Sequence, residues 1–256
     1  MSSDRRKITA YVITFNEARQ IRAVLETVRW ADELIVVDSF STDGTVEIAR
    51  EFGAKIISQS FCGFGKLRNF ALDAAQNDWI FSIDSDERCT PEFAEELRQT
   101  AATLRHAAYY VPRRNTFLGR PVRHGGMYPD YRQPQFFDRR KFRYREDVVH
   151  EDFDCSGSIG HFKNFIWQHP WPALNVILGK MERYTTLMAQ RRFESGKRSN
   201  IFKMLFAPPI GFLRKYVFQL GFLDGKPGFV LAVLHGCYIF VKYAKLWELE
   251  MNGEKK

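Results

Sequence analysis

The feature that most constrains this chain is an alternation. Through residues 7–104, short apolar runs rich in β-branched residues are separated by segments with helical spacing. Ile8–Thr14, Leu34–Asp38, Lys55–Ser58 and Trp79–Ile83 read as strands. Between the first two, Ile21, Val24, Leu25 and Val28 recur at helical spacing. Ser41-Thr42-Asp43 is a cap signal before a helix over Val46–Phe52, with Asp43 as a structural cap and Gly53 as the stop. Lys66–Ala75 reads as a third helix, and Thr90-Pro91-Glu92 opens a fourth. Strands that are apolar throughout and alternate with helices predict an α/β fold, a parallel sheet covered on both faces. Ligands of such sheets bind at the carboxyl ends of the strands. Those ends carry Thr14-Phe15-Asn16-Glu17, Asp38 to Asp43, and Asp84-Ser85-Asp86. One edge of the sheet is therefore expected to hold a polar site.

The rest of the 256-residue chain differs in kind. Short strands are expected at 109–111, 135–137, 142–144 and 162–167. From about Pro172 the pattern is helical: a helix over 173–193, another broken at Pro208-Pro209, and a last one from Gly228 to about Glu250. This suggests three regions, 1–105, 106–171 and 172–256. Residues 1–100 hold 12 Lys/Arg against 17 Asp/Glu and no proline before Pro91, whereas residues 101–256 hold 26 against 13. A net charge of +8 alone leaves nucleic acid, an anionic membrane surface and a phosphorylated substrate as partners. The acidic first third argues against nucleic acid. Four scattered cysteines with no CxxC pair argue against a zinc site or a disulfide framework and fit a reducing compartment, and the N-terminus has no signal-peptide pattern. The apolar run Gly228–Val241 is about 14 residues, short of the ~20 that a span requires. It reads as a core helix or an interfacial one, the latter supported by Arg214, Lys215, Lys242 and Lys245.

Asp84 and Asp86, two residues apart at a strand end, are suited to a divalent cation, Mg²⁺ or Mn²⁺. Glu87 reads as a helix-approach charge. Asp38 is either an acceptor for a nucleobase imide or a loop cap. Gly63 to Asn69 sets glycines before a helix start with Lys66 and Arg68, an arrangement that favours a diphosphate. His150, Glu151 and Asp152 cluster an imidazole and two carboxylates, one of which could take a proton from a hydroxyl. His169 is a candidate further metal contact or a structural histidine.

VITFNEA, VVDSFSTDGTVEIA, GFGKLRN and FSIDSDE, in that order, resemble family 2 glycosyltransferases of the GT-A fold. VVHEDF, WQHPWP and a basic tail with FLDGKPGF and KYAKLWE are similar to a narrower group, the bacterial lipopolysaccharide core glycosyltransferases typified by heptose β-1,4-glucosyltransferases. The resemblance implies a mixed, mostly parallel GT-A sheet with helices on both faces and a C-terminal helical appendage. It implies metal-dependent, inverting transfer of a hexose, glucose by analogy, from a UDP-sugar. The acceptor would be a lipopolysaccharide core or related glycolipid at the cytoplasmic face of the inner membrane. Thr14, Asn16, Glu17, Asp38, Lys66, Arg68, Asp84 and Ser85 then match donor-binding positions. Asp86, Asp84 and His169 match metal positions, and Glu151 the base with Asp152 as second choice. A polyprenyl phosphate or capsule intermediate as acceptor, or a nucleotidyltransferase, are the alternatives. The last lacks its glycine-rich loop after the first strand, where TFNEA stands.

Overall fold

The computed structural model describes residues 6–146 and 152–253. The chain divides into two compact units. The first comprises residues 1–113 and 130–168, the second residues 114–129 and 169–256. The stretch 114–129, placed by sequence within 106–171, thus groups with the C-terminal helices.

The first unit opens with the alternation that the sequence predicts, to which the short strand β5 is an addition: β1 (Ile8–Thr14), α1 (Ala18–Thr27), β2 (Glu33–Asp38), α2 (Thr45–Glu51), β3 (Lys55–Ser58), α3 (Phe64–Ala74), β4 (Trp79–Ser82), β5 (Glu87–Cys89), α4 (Pro91–Thr103) and β6 (Ala108–Tyr110). Later in the chain come β7 (Arg113–Phe117) and β8 (Arg120–Val122), then β9 (Phe136–Asp138), β10 (Phe142–Tyr144), β11 (Phe153–Cys155) and β12 (Ile159–His161) of the first unit, and β13 (Ile166–Trp171). The main sheet has seven strands in the order β12-β6-β9-β4-β1-β2-β3. β4, β1, β2 and β3 run parallel, and β9 is antiparallel to both β4 and β6. The sheet is mixed and mostly parallel, as the resemblance implies.

Alternation along β1 decides which helices cover which face. Ile8, Ala10 and Val12 point to one side, where α1 (Ile21, Val24, Leu25), α2 (Ala49) and α4 (Phe93, Leu97) bury their apolar stripes. Tyr11, with Ile35, Val37 and Ile80, points to the other, against Leu67, Ala71 and Leu72 of α3 and the rings of Phe142 and Tyr144. α4 starts as predicted, with Thr90 Oγ1 accepting from the Phe93 N–H at 3.2 Å and Pro91 at its first position.

In the second unit, β7 and β8 form a hairpin whose turn residues Leu118 and Gly119 both have positive φ, the geometry of a type I′ turn. α5 (Leu174–Glu194), α6 (Ile201–Leu213) and α7 (Gly225–Gly253) follow, with a π-helical turn at Arg214–Phe218 and a 3₁₀ turn at Gly221–Asp224. The expected break at Pro208-Pro209 does not occur. α6 runs through both prolines to Leu213. Each proline removes one backbone bond, and packing against α7 holds the helix across them. A Cβ on Gly236 would lie 3.2 Å from the Pro208 carbonyl oxygen, and one on Gly211 would meet the Ile239 side chain at 2.3 Å, so the two glycines set how closely the helices approach. The stretch Gly221–Asn252 is long and apolar enough, by length and composition, to cross a membrane. It exceeds the 14-residue run seen in sequence because Lys242 and Lys245 interrupt the apolar pattern without ending the helix.

Candidate functional site

Three polar loops lie along the carboxyl edge of β4-β1-β2. The β1 and β2 loops are laced together. Asp38 is buried, and its carboxylate accepts from the Ser41 N–H at 2.8 Å and the Ser41 Oγ at 2.5 Å. Ser41 Oγ in turn accepts from the Asn16 N–H at 2.8 Å, and Asn16 Oδ1 accepts from the Thr42 N–H at 2.9 Å. Asn16 and Phe40 both adopt positive φ, so the backbone turns sharply at each strand end. Asp43 accepts from the N–H groups of Ala18 and Thr45, tying the starts of α1 and α2 to one carboxylate as a cap. The Thr45 hydroxyl, first among its hydrogen bonds, holds the Asp43 carboxyl below the usual range. Asp38 thus caps its loop, yet two accepted bonds leave lone pairs on each oxygen for a further donor. Thr14 Oγ1 is buried with no hydrogen-bond partner among the described residues.

The third loop is gripped from beneath. Glu87, read from sequence as a helix-approach charge, is 0% exposed. Its carboxylate accepts from Arg113 Nε at 2.5 Å, from Gln135 Nε2 at 2.8 Å and from the Asp84 N–H at 3.0 Å. Its own N–H donates to the Asp84 carbonyl at 3.0 Å. Arg88 closes the other side, donating to the Ser85 carbonyl at 2.8 Å and to Gln20 Oε1 of α1 at 2.5 Å. Burial pushes the Glu87 carboxyl up, the Arg113 guanidinium opposes this, and Asp84 and Asp86 add to it. The outcome is a rigid turn that presents the side chains of Asp84, Ser85 and Asp86, all partly exposed. Two hard carboxylates on such a turn fit Mg²⁺ or Mn²⁺, which keep several waters and share phosphate oxygens.

α3 enters the site by its first turn. Lys66 there is exposed. Arg68 is buried: its guanidinium lies over the Tyr144 ring at 5.3 Å and reaches Asp84 Oδ1 at 3.4 Å. A Cβ on Gly65 would sit 2.1 Å from the Arg145 carbonyl oxygen, so only glycine lets the strand from β10 pass this close. Gly65→Ala is expected to cost about 1–3 kcal/mol by displacing that strand, measured as a shift in the urea unfolding midpoint. Asn69 holds the same segment, donating to the Tyr144 carbonyl at 2.9 Å and to Glu146 Oε1 at 3.2 Å.

Glu151 and His150 lie outside the described residues. The two described ends that flank them are tied: the Arg145 N–H donates to the Asp152 carbonyl at 2.9 Å, and Arg145 Nη1 pairs with Asp152 Oδ2 at 2.8 Å. The other oxygen of Asp152 accepts from the Phe153 N–H at 2.9 Å. Asp152 is thus occupied in holding this junction beside the first turn of α3. His169 belongs to the second unit, where its Nδ1 and Thr116 Oγ1 are 2.8 Å apart. Among the described residues no three His, Cys, Asp or Glu side chains converge as a metal cluster. Asp84 and Asp86 belong to the first unit and His169 to the second. Arg113 and Gln135 are the residues around the site that sequence reasoning missed, and Glu87 is a buried anchor where the sequence reads as a helix-approach charge.

The family model described as "Glycosyl transferase family 2" matches residues 9–163, from β1 through the strands that complete the main sheet. The chain belongs to glycosyl transferase family 2. Its relatives include the lipopolysaccharide core biosynthesis glycosyltransferase LpsC of Rhizobium meliloti, 29% identical with 94% of this chain and 92% of that protein covered. An uncharacterized glycosyltransferase of Rickettsia felis is 28% identical, covering 94% and 90%. Among solved structures, S. aureus TarS 1-349 in complex with UDP has a TM-score of 0.51 at 18% identity, covering 96% of this chain and 92% of that one. This last likeness is one of fold, and the fold is GT-A.

Proposed function

We propose that this family 2 glycosyltransferase moves a hexose from a UDP-sugar to a lipopolysaccharide core or related glycolipid acceptor presented at the inner-membrane surface, with inversion. The observation that carries the reading is the convergence of the Thr14–Glu17, Asp38–Asp43 and Asp84–Asp86 loops on one edge of a family 2 sheet. The LpsC relationship, over nearly the full length of both chains, supports the acceptor class.

Asp38 accepts a hydrogen bond from the base, and Thr14, Asn16 and Glu17 line the nucleoside side of the pocket. Lys66, exposed at the start of α3, faces the diphosphate. Arg68 acts one step back, orienting Asp84 through their ion pair. Asp84 and Asp86 would hold a divalent cation, which when bound offsets charge building on the leaving diphosphate. In the transfer the acceptor oxygen bonds to the anomeric carbon as the sugar–phosphate bond breaks, its electron pair leaving with the diphosphate. Glu151 takes the hydroxyl proton. One base and one displacement invert the centre.

The test is a donor screen of UDP-glucose, UDP-galactose, GDP-mannose and ADP-heptose against a lipopolysaccharide core acceptor, with and without Mn²⁺. Transfer from a UDP-hexose alone is expected, and no transfer from any donor overturns the reading. Asp86→Ala is expected to weaken UDP binding about tenfold or more in the presence of Mn²⁺ and to leave metal-free UDP binding unchanged. Calorimetric titration measures both, and equal affinities with Mn²⁺ in the two proteins would remove Asp86 from the metal site.

A further inference from the structure

The helices of the second unit expose a large apolar surface. α6 has one charged residue, Lys203, in 13 positions. Such a helix belongs in a core or in lipid. Yet the side of α6 away from α7 is open: Phe202, Leu205, Phe206 and Ile210 are all exposed, Phe202 by 68% and Ile210 by 62%. The surface continues through Phe218, 80% exposed on the π-helical turn, and Leu223 on the 3₁₀ turn. Patches of this size on a soluble protein mark an interaction site.

Its charge identifies the partner. From Ser195 to Trp247 there are eight Lys/Arg and a single acidic residue, Asp224. That acid is turned inward, accepting from the His124 N–H at 2.8 Å and lying 2.9 Å from His124 Nδ1. An apolar face in a cationic frame complements an anionic bilayer. A nucleic acid would match the cations and leave the phenylalanines in water.

The packing also decides the orientation. α5 lies against α7, and Lys245 of α7 pairs with Glu182 of α5 at 2.7 Å and with Thr186 Oγ1 at 2.6 Å. α5 also carries Lys180, Arg183, Arg191 and Arg192. Were α7 to cross the membrane, this charged partner would be drawn into hydrocarbon, where such groups are strongly disfavoured. Lying in the interface satisfies both helices.

We infer that the outer face of α6 and the two short turns after it form an in-plane docking surface for an anionic lipid bilayer, with α7 parallel to the membrane and not spanning it. This deepens the reading of a glycolipid acceptor and rests on it for purpose. The test needs neither donor nor acceptor, so its failure is separable from failure of that reading. The full-length protein is mixed with vesicles of phosphatidylcholine and phosphatidylglycerol, and with phosphatidylcholine alone, and sedimented. Binding to the anionic vesicles is expected, reduced on the neutral ones. Phe206→Glu and Ile210→Glu, at exposed positions and with folding checked by circular dichroism, should each weaken it by about tenfold. Lys226→Cys and Glu248→Cys, near the two ends of α7, are labelled on preformed vesicles by an impermeant maleimide and read by peptide mass. Labelling of both is expected. Unchanged binding by both glutamate variants, no binding by the parent protein, or protection of one end only would each overturn the inference.

Discussion

Glu151→Gln is expected to lower the transfer rate by about 10²- to 10⁴-fold while leaving UDP-sugar affinity within about twofold, the range set by removing a general base. Glu146 and Asp152 are held by Asn69 and Arg145, and the Arg145 carbonyl lies close against Gly65 of α3. Asp152 is the competing candidate, but both its oxygens accept bonds that hold this junction. Asp152→Asn is expected to lower the rate less and to lower the unfolding midpoint as well. Steady-state rates with a saturating UDP-sugar, paired with calorimetric donor affinities, separate the two. A loss confined to Asp152→Asn would exchange their roles.

Residues whose partners are near in sequence were legible. The strand ends, the Asp43 cap, the Thr90-Pro91 helix start and the parallel sheet follow from periodicity and capping rules that act over a few residues. Roles set by distant partners were not. Glu87 meets Arg113 and Gln135 across 26 and 48 residues, so nothing beside it in the chain marks it as a buried anchor. Arg68 sits where a phosphate cation is expected, but the Tyr144 ring that covers it lies on another strand. The prolines of α6 obey a local rule that packing against Gly236 overrides. His169 Nδ1 meets Thr116 Oγ1 across 53 residues, and nothing beside either in the chain marks that pairing.

Glu87→Ala is expected to destabilise the protein by about 3–5 kcal/mol, because it strands the buried Arg113 guanidinium without its counter-charge. Against a typical stability of about 5–15 kcal/mol this is a large fraction, visible in the urea midpoint. Stability alone would not show that Glu87 serves the site. Removing both charges does. Glu87→Leu with Arg113→Met leaves no unpaired charge, and most of the lost stability should return. It also leaves the Asp84 N–H without its acceptor, so the turn carrying Asp84 and Asp86 loosens. Glu87→Gln with Arg113→Met keeps an amide oxygen for that N–H and for Gln135 Nε2. The two double variants should unfold at similar urea concentrations, yet only the glutamine one should bind UDP with Mn²⁺ about as the parent does. Loss of about tenfold or more in the leucine pair alone would mark Glu87 as the residue that positions the carboxylate turn, since a purely structural pair predicts equal donor affinity for both.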